Sequence, residues 1–277
     1  VFAFSFVFST ISNAQGVVRY GFLEVIDYSK KPIIEATIDV NASCQGGKRK
    51  TGENGGVIFP IGFGDCGTGG FSISKDGYYA FKDYFGIVGV IREKGTAKIE
   101  LLKIPQNEVE RKAIGDEQRK REFFVAAIQG DFVTVRKYLR SGYSPNLTTF
   151  DLRGIPARKD IALMMFAARS GSPKTIKEFL DNGADIKSEE GSMPKLLEAY
   201  LNATPNYQQK SQTAQTQRDE LLDVYEKGAI DLITAGASTD SPELLAVASG
   251  KGYLRTVKFL IEKGVLAVKN RRSGQTA

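Results

Sequence analysis

Few residues in this chain are able to do chemistry. Its 277 residues include no histidine, which removes Ser/His/Asp and Cys/His nucleophilic catalysis, histidine general bases and every metal site that needs imidazole. Cys44 and Cys66 are the two thiols, too few for a four-thiolate zinc or iron–sulfur site in one chain. Acids stand side by side at Glu189-Glu190 and Asp219-Glu220, and neighbours in sequence read as solvated helix or loop surface. Gly62-Phe63-Gly64-Asp65-Cys66-Gly67 spells a GxGxxG. That motif needs a following helix whose N-terminus faces a pyrophosphate. Here Thr68-Gly69-Gly70 lead into another strand-like run at Phe71, so a glycine-rich hairpin is the reading. The sequence therefore assigns no catalytic residue, no cofactor, no cofactor-binding residue and no metal ligand, and reads as a non-enzyme.

The elements behind these residues follow from composition and pattern. With 42% hydrophobic and 25% charged residues, the chain buries a sizeable core and has the length of two domains. Its net charge of +6 is spread evenly, with 12 Lys/Arg against 10 Asp/Glu in residues 15–104 and 26 against 22 elsewhere. The densest runs, residues 111–122 included, mix both signs, which argues for a solvated surface and against a nucleic-acid interface.

Residues 1–8 are apolar except for Ser5, a polar stretch follows, and small residues stand at Ser12 and Ala14. The run is too short to span a bilayer and matches the later part of a secretory signal peptide, so residues 1–14 are expected to be its remnant and the protein secreted or periplasmic. The absence of an initiator Met suggests a fragment. The alternative for this segment is a buried first strand, since Phe2, Phe4, Phe6 and Phe8 alternate. In an exported protein, Cys44 and Cys66, confined to one small domain, are expected to form a disulfide. Without export they are two buried free thiols.

Six β-prone runs, at residues 17–26, 33–40, 57–63, 71–74, 84–91 and 97–102, are separated by turn residues and predict a small sandwich over 15–104. Val25-Ile26-Asp27, then residues 32–38, then Thr51-Gly52-Glu53-Asn54-Gly55-Gly56 before Val57, then residues 71–78 resemble, in that order, the carboxypeptidase regulatory-like, transthyretin-like sandwich. The resemblance covers about a third of the chain and implies an accessory or binding module without catalytic residues.

After Pro105, Asn107 is placed to cap a charged helix, so residues 105–121 are read as a linker or capping helix. The period then becomes helical. Ala126-Ala127 precede Gly130, with Val135, Leu139 and Gly142 after it. Ala167-Ala168 precede Gly171, with Ile176, Leu180 and Gly183 after it. Ala248-Ser249 precede Gly252, with Val257, Ile261 and Gly264 after it. Small residues allow close helix packing, the first glycine ends a helix in a left-handed cap, and the apolar positions bury a second helix. These offsets resemble the ankyrin repeat. They imply a helical repeat solenoid over 122–277, about four units and the start of a fifth at Gly274-Gln275-Thr276-Ala277. A weaker copy begins at Leu196, and residues 204–217 form a polar insertion within it.

The expected fold class is thus multidomain β plus α, a small β-sandwich followed by an ankyrin-type solenoid. The expected function is an exported, non-catalytic protein–protein interaction protein, and the resemblance places the binding surface on the loop tips, at Tyr143, Asn146, Phe150, Arg153, Asp185 and Lys187. The partner class is protein, with no nucleic acid and no stable membrane insertion. The alternatives are a carbohydrate or cell-surface adhesin acting through Tyr78, Tyr79 and Tyr84 of the β domain, or an accessory subunit of an exported hydrolase.

Overall fold

A computed structural model describes residues 12–13, 16–42, 47–62, 68–84, 86–157, 160–186, 195–204, 215–241 and 243–265. The chain divides into two compact units, Val1–Lys120 with Thr149–Asp160, and Arg121–Thr148 with Ile161–Ala277.

The first unit holds two small sheets. In one, β2 (Gly16–Ile26) pairs antiparallel with β1 (Ser12–Asn13) and β5 (Gly56–Gly62) and parallel with β8 (Thr96–Glu100). The other runs β4 (Gly47–Lys50), β3 (Thr37–Ala42), β6 (Thr68–Ser74), β7 (Phe81–Lys82). Alternation in β3 turns Ile38 and Val40 into the core and leaves Asp39 exposed, as a period of two requires. Leu23, Val25, Ile73, Ile99, Leu101 and Leu102 complete that core.

Between β7 and β8 the chain forms helix α1 (Ile87–Lys94), where the sequence predicts a strand over 84–91. The two carboxylate oxygens of Asp83 accept from the Ile87 N–H at 2.8 Å and the Val88 N–H at 3.1 Å, and Gly95 closes the helix at φ 77°. A cap at each end and the burial of Ile87, Val88, Val90 and Ile91 outweigh the β propensity of the branched residues. After the chain has passed through β3–β7 and α1, β8 returns to lie parallel to β2, a pairing that a tight hairpin cannot make.

Helices follow. Asn107 starts α2 (Glu108–Gln129), its Oδ1 accepting from the Glu110 N–H at 2.9 Å. Then come α3 (Phe132–Arg140), a 3-10 turn at Thr149–Asp151, α4 (Leu163–Ser170), α5 (Pro173–Asp181), α6 (Leu196–Ala203), α7 (Gln215–Thr234), α8 (Leu244–Lys251) and α9 (Leu254–Glu262). Within the second unit α3, α5, α7 and α9 pack in succession, as do α4, α6 and α8. No helix among the described residues is long and apolar enough to cross a membrane.

The expected fold class is corrected by this architecture. The protein is mixed α+β, small sheets followed by helices, and not a β-sandwich followed by an ankyrin-type solenoid. The sheet unit contains a helix, α1, and a parallel strand pair, β2 with β8. The helices are of unequal make: α2 has 22 residues and α7 has 20, against 8 in α4, α6 and α8. Residues Thr149–Asp160 belong to the sheet unit, although the helices on either side of them belong to the other.

The shared glycine offsets reflect a local feature, a tight turn between paired helices. Gly130, Gly171 and Gly252 sit at φ 71°, 67° and 78°, conformations that a side chain disfavours. At Gly171 a Cβ would also lie 2.9 Å from the Ala203 carbonyl oxygen, so the turn lets α6 approach. The core here is aromatic: Phe123 lies against Phe179 at 5.9 Å, Tyr138 at 5.5 Å and Tyr143 at 6.2 Å between ring centroids. Phe123→Ala should lower the unfolding free energy by about 3–5 kcal/mol, as deletion of a fully buried ring does, whereas exposed Val133→Ala should stay within about 0.5 kcal/mol. Urea unfolding followed by circular dichroism compares the two.

Candidate functional site

The residues expected at the loop tips fall into two groups in separate units. Tyr143 is half-buried and edge-on to Tyr138 at 5.4 Å. Asn146 stitches two turns together: its Oδ1 accepts from the Asp185 N–H at 2.7 Å and its Nδ2 donates to the Gly183 carbonyl at 3.4 Å. Asn146 and Asp185 are therefore neighbours, joined by an amide that reads two backbone groups. Phe150 is 66% exposed on the 3-10 turn, and its N–H donates to Asp160 Oδ1 at 3.2 Å. Lys187, Cys44, Glu189-Glu190 and residues 63–67 of the GxGxxG motif, Cys66 among them, lie outside the described residues.

Arg153 has a different setting. It belongs to a charged cluster built on Glu100, the last residue of β8, whose side chain is 1% exposed. Lys30 Nζ stands 2.5 Å from Glu100 Oε2 and Arg153 Nε stands 3.3 Å from Oε1. The Arg153 guanidinium also lies 3.8 Å over the Tyr28 ring, and the Arg153 backbone N–H donates to Glu117 Oε1 at 2.9 Å. Lys30 reaches the carboxylate from a turn in which its own φ is 65°, a left-handed conformation that persists in a non-glycine residue only where neighbours hold it. The carbonyl of Gly154, a residue at φ 69°, accepts from the Glu100 N–H at 3.0 Å, and a Cβ on Gly154 would fall 2.3 Å from Glu100 Cβ. Backbone and side-chain contacts together dock Thr149–Asp160 on the sheet unit.

Chemically, this arrangement is a clamp. A carboxylate with 1% exposure between two cations is out of reach of a solute, and its single charge is shared between Lys30 and Arg153. In sequence Glu100 is one acid among 32, on the outward phase of β8, and the sequence reading missed it. Only the return of residues 149–160 buries it. Among the described residues no group of three or more His, Cys, Asp or Glu is placed to hold a metal ion.

The helical unit uses polar groups in the same way. Glu226 of α7 is buried and accepts from the Arg255 N–H at 2.7 Å and the Thr256 N–H at 3.0 Å, so an acid from one helix caps the next and meets its positive end. Lys251 donates to the Thr204 carbonyl and, at 3.3 Å, to the Asn202 carbonyl, answering the free acceptors at the end of α6. Burial holds its ammonium below the usual lysine range. The Tyr200 hydroxyl donates to the Tyr225 carbonyl at 3.0 Å.

Removing both cations of the clamp, Lys30→Ala with Arg153→Ala, leaves a buried carboxylate uncompensated and should cost about 3–5 kcal/mol. Limited proteolysis should then cut within residues 149–160 first. Burial also pushes the Tyr200 phenol up and the Tyr253 phenol up to about 12. Raised in the folded state, each contributes stability that is complete below about pH 10, and that of Tyr253 is lost as pH rises toward 12. Helix content should therefore fall as these phenols ionise, measured by far-ultraviolet ellipticity alongside phenolate absorbance, and Tyr253→Phe should move the transition upward.

No family model and no curated protein matches this chain.

Proposed function

We propose that this is an exported, non-catalytic protein whose helical unit binds a protein partner. The observation that carries the reading is the set of large apolar side chains on the outer row of helices. Val133 of α3, Leu221 and Val224 of α7, and Leu254 and Ile261 of α9 are exposed on helices whose opposite faces are anchored in a core. Apolar groups held on rigid elements lose little entropy on association, and their burial drives binding. The turns that Asn146 joins to Asp185 offer polar groups on the same unit. Export rests on the apolar run before Ser12 and Ala14.

A photo-crosslinking residue at Val133, Val224 or Leu254 of the full chain, irradiated in the native compartment, should give discrete protein adducts. The same residue at Ile58, exposed on β5, should give none. Adducts absent from all three helical positions, or equal at Ile58, overturn the reading.

A further inference from the structure

The three glycine-capped helix pairs can be compared position by position. Five residues after the glycine stand Val135, Ile176 and Val257, and nine after it stand Leu139, Leu180 and Ile261. Val135 and Ile176 are fully buried, Leu139 nearly so and Leu180 half-buried, with α5 packed on α3 and α7 packed on α5. The third pair differs. Val257 is half-buried and Ile261 is 58% exposed. The first helices agree: six residues before the glycine, Phe124 and Met165 are buried and Ala246 is half-buried. Phe124 meets Phe166 of the neighbouring α4 at 5.8 Å. The outer side of α8 and α9 thus carries a stripe that, at both other instances in this molecule, an amphipathic helix covers.

Charge says what kind of helix. Six residues after the glycine stand three cations, Arg136, Lys177 and Lys258. Arg136 reaches Glu178 on the covering α5, with Nη2 to Oε1 at 2.5 Å. Lys177 bonds Asp181 on its own helix and is also held in its charged form by Asp231 on the covering α7. Lys258 is exposed, and among the described residues no ion pair includes it. Of the neighbouring cations in sequence, Arg255 pairs with Asp223 of α7 and Lys251 turns to the end of α6, while Lys263 follows Glu262, the one acid of α9.

We propose that the outer face of α8 and α9 docks an acidic amphipathic helix of a protein partner, its apolar stripe over Val257 and Ile261 and a carboxylate against Lys258. This rests on the protein-binding reading above and names the site and the partner's chemistry. The chain's own residues 266–277 carry Lys269, Arg271 and Arg272 and no acid, so like charge disfavours them as the occupant.

The test uses the full chain and a helix-stapled, fluorescent peptide with the sequence of α7, Gln215–Thr234, which carries Asp231 and already covers the equivalent stripe on α5. Fluorescence anisotropy should show saturable binding, weakened about tenfold or more by Lys258→Glu and by Ile261→Asp and unchanged by Ile58→Asp on the exposed side of β5. A peptide with Asp231→Lys should restore binding to the Lys258→Glu protein, a rescue that a folding defect cannot produce. Equal binding to all variants overturns the proposal. So does self-association that Ile261→Asp abolishes, which makes a second copy the occupant, and so does a gain in affinity of about tenfold on deleting residues 266–277, which makes the chain's own tail the occupant. Should crosslinked adducts persist at Val133 while the peptide fails to discriminate, the docking site falls and the protein-binding reading stands.

Discussion

α3, α5 and α9 are nine residues long, shorter than the roughly 12–15 residues at which an isolated helix becomes even marginally stable in water. Each exists because a neighbour covers its apolar stripe, and the rest of the helical unit follows from that dependence. Close cover needs tight turns, which is why glycines with positive φ stand between paired helices and why the Gly171 turn leaves no room for a Cβ beside Ala203. It needs large rings to fill the seam, hence Phe123 against Phe179 and Tyr138. Where cover is incomplete a stripe stays in water, and in α9 that is where Ile261 meets solvent.

Charged groups serve this packing. Glu100 is held between Lys30 and Arg153, Glu226 caps α9, and Lys251 caps α6. Taking a charge out of water costs several kcal/mol, so each of these must find its counterpart or the fold would give way there. An acid used in this way is closed to substrate. The same matching on the helical seams, Arg136 with Glu178 and Lys177 near Asp231, fixes which helix covers which, because a like-charged neighbour would be repelled.

The local features were legible. The glycine offsets name dihedrals that only a few residues tolerate, and the capping role of Asn107 is visible because a short polar side chain before a helical run has one obvious backbone donor to meet. The run at 84–91 misled because its branched residues suit a strand, and the cap from Asp83 together with burial of α1 decides for helix. At the candidate site the sequence singled out Asn146 and Asp185 without their hydrogen bond. It singled out Arg153 as a loop tip when its guanidinium lies over Tyr28 and against Glu100.

By itself the sequence determined the absence of imidazole and of a four-thiolate centre, the change from strand period to helix period, and the glycine-turned helix pairs, because residue type, period and dihedral preference belong to a few neighbouring residues. Only the tertiary structure decided that the sheet unit carries a helix and a parallel strand pair, that residues 149–160 return to bury Glu100, and that Ile261 of α9 is left in solvent while Val135 of α3 and Ile176 of α5 are buried. Burial is a property of pairs of surfaces. Whether a charge is desolvated or an apolar side chain left in water depends on a segment tens of residues away, and no local pattern records which segment that will be.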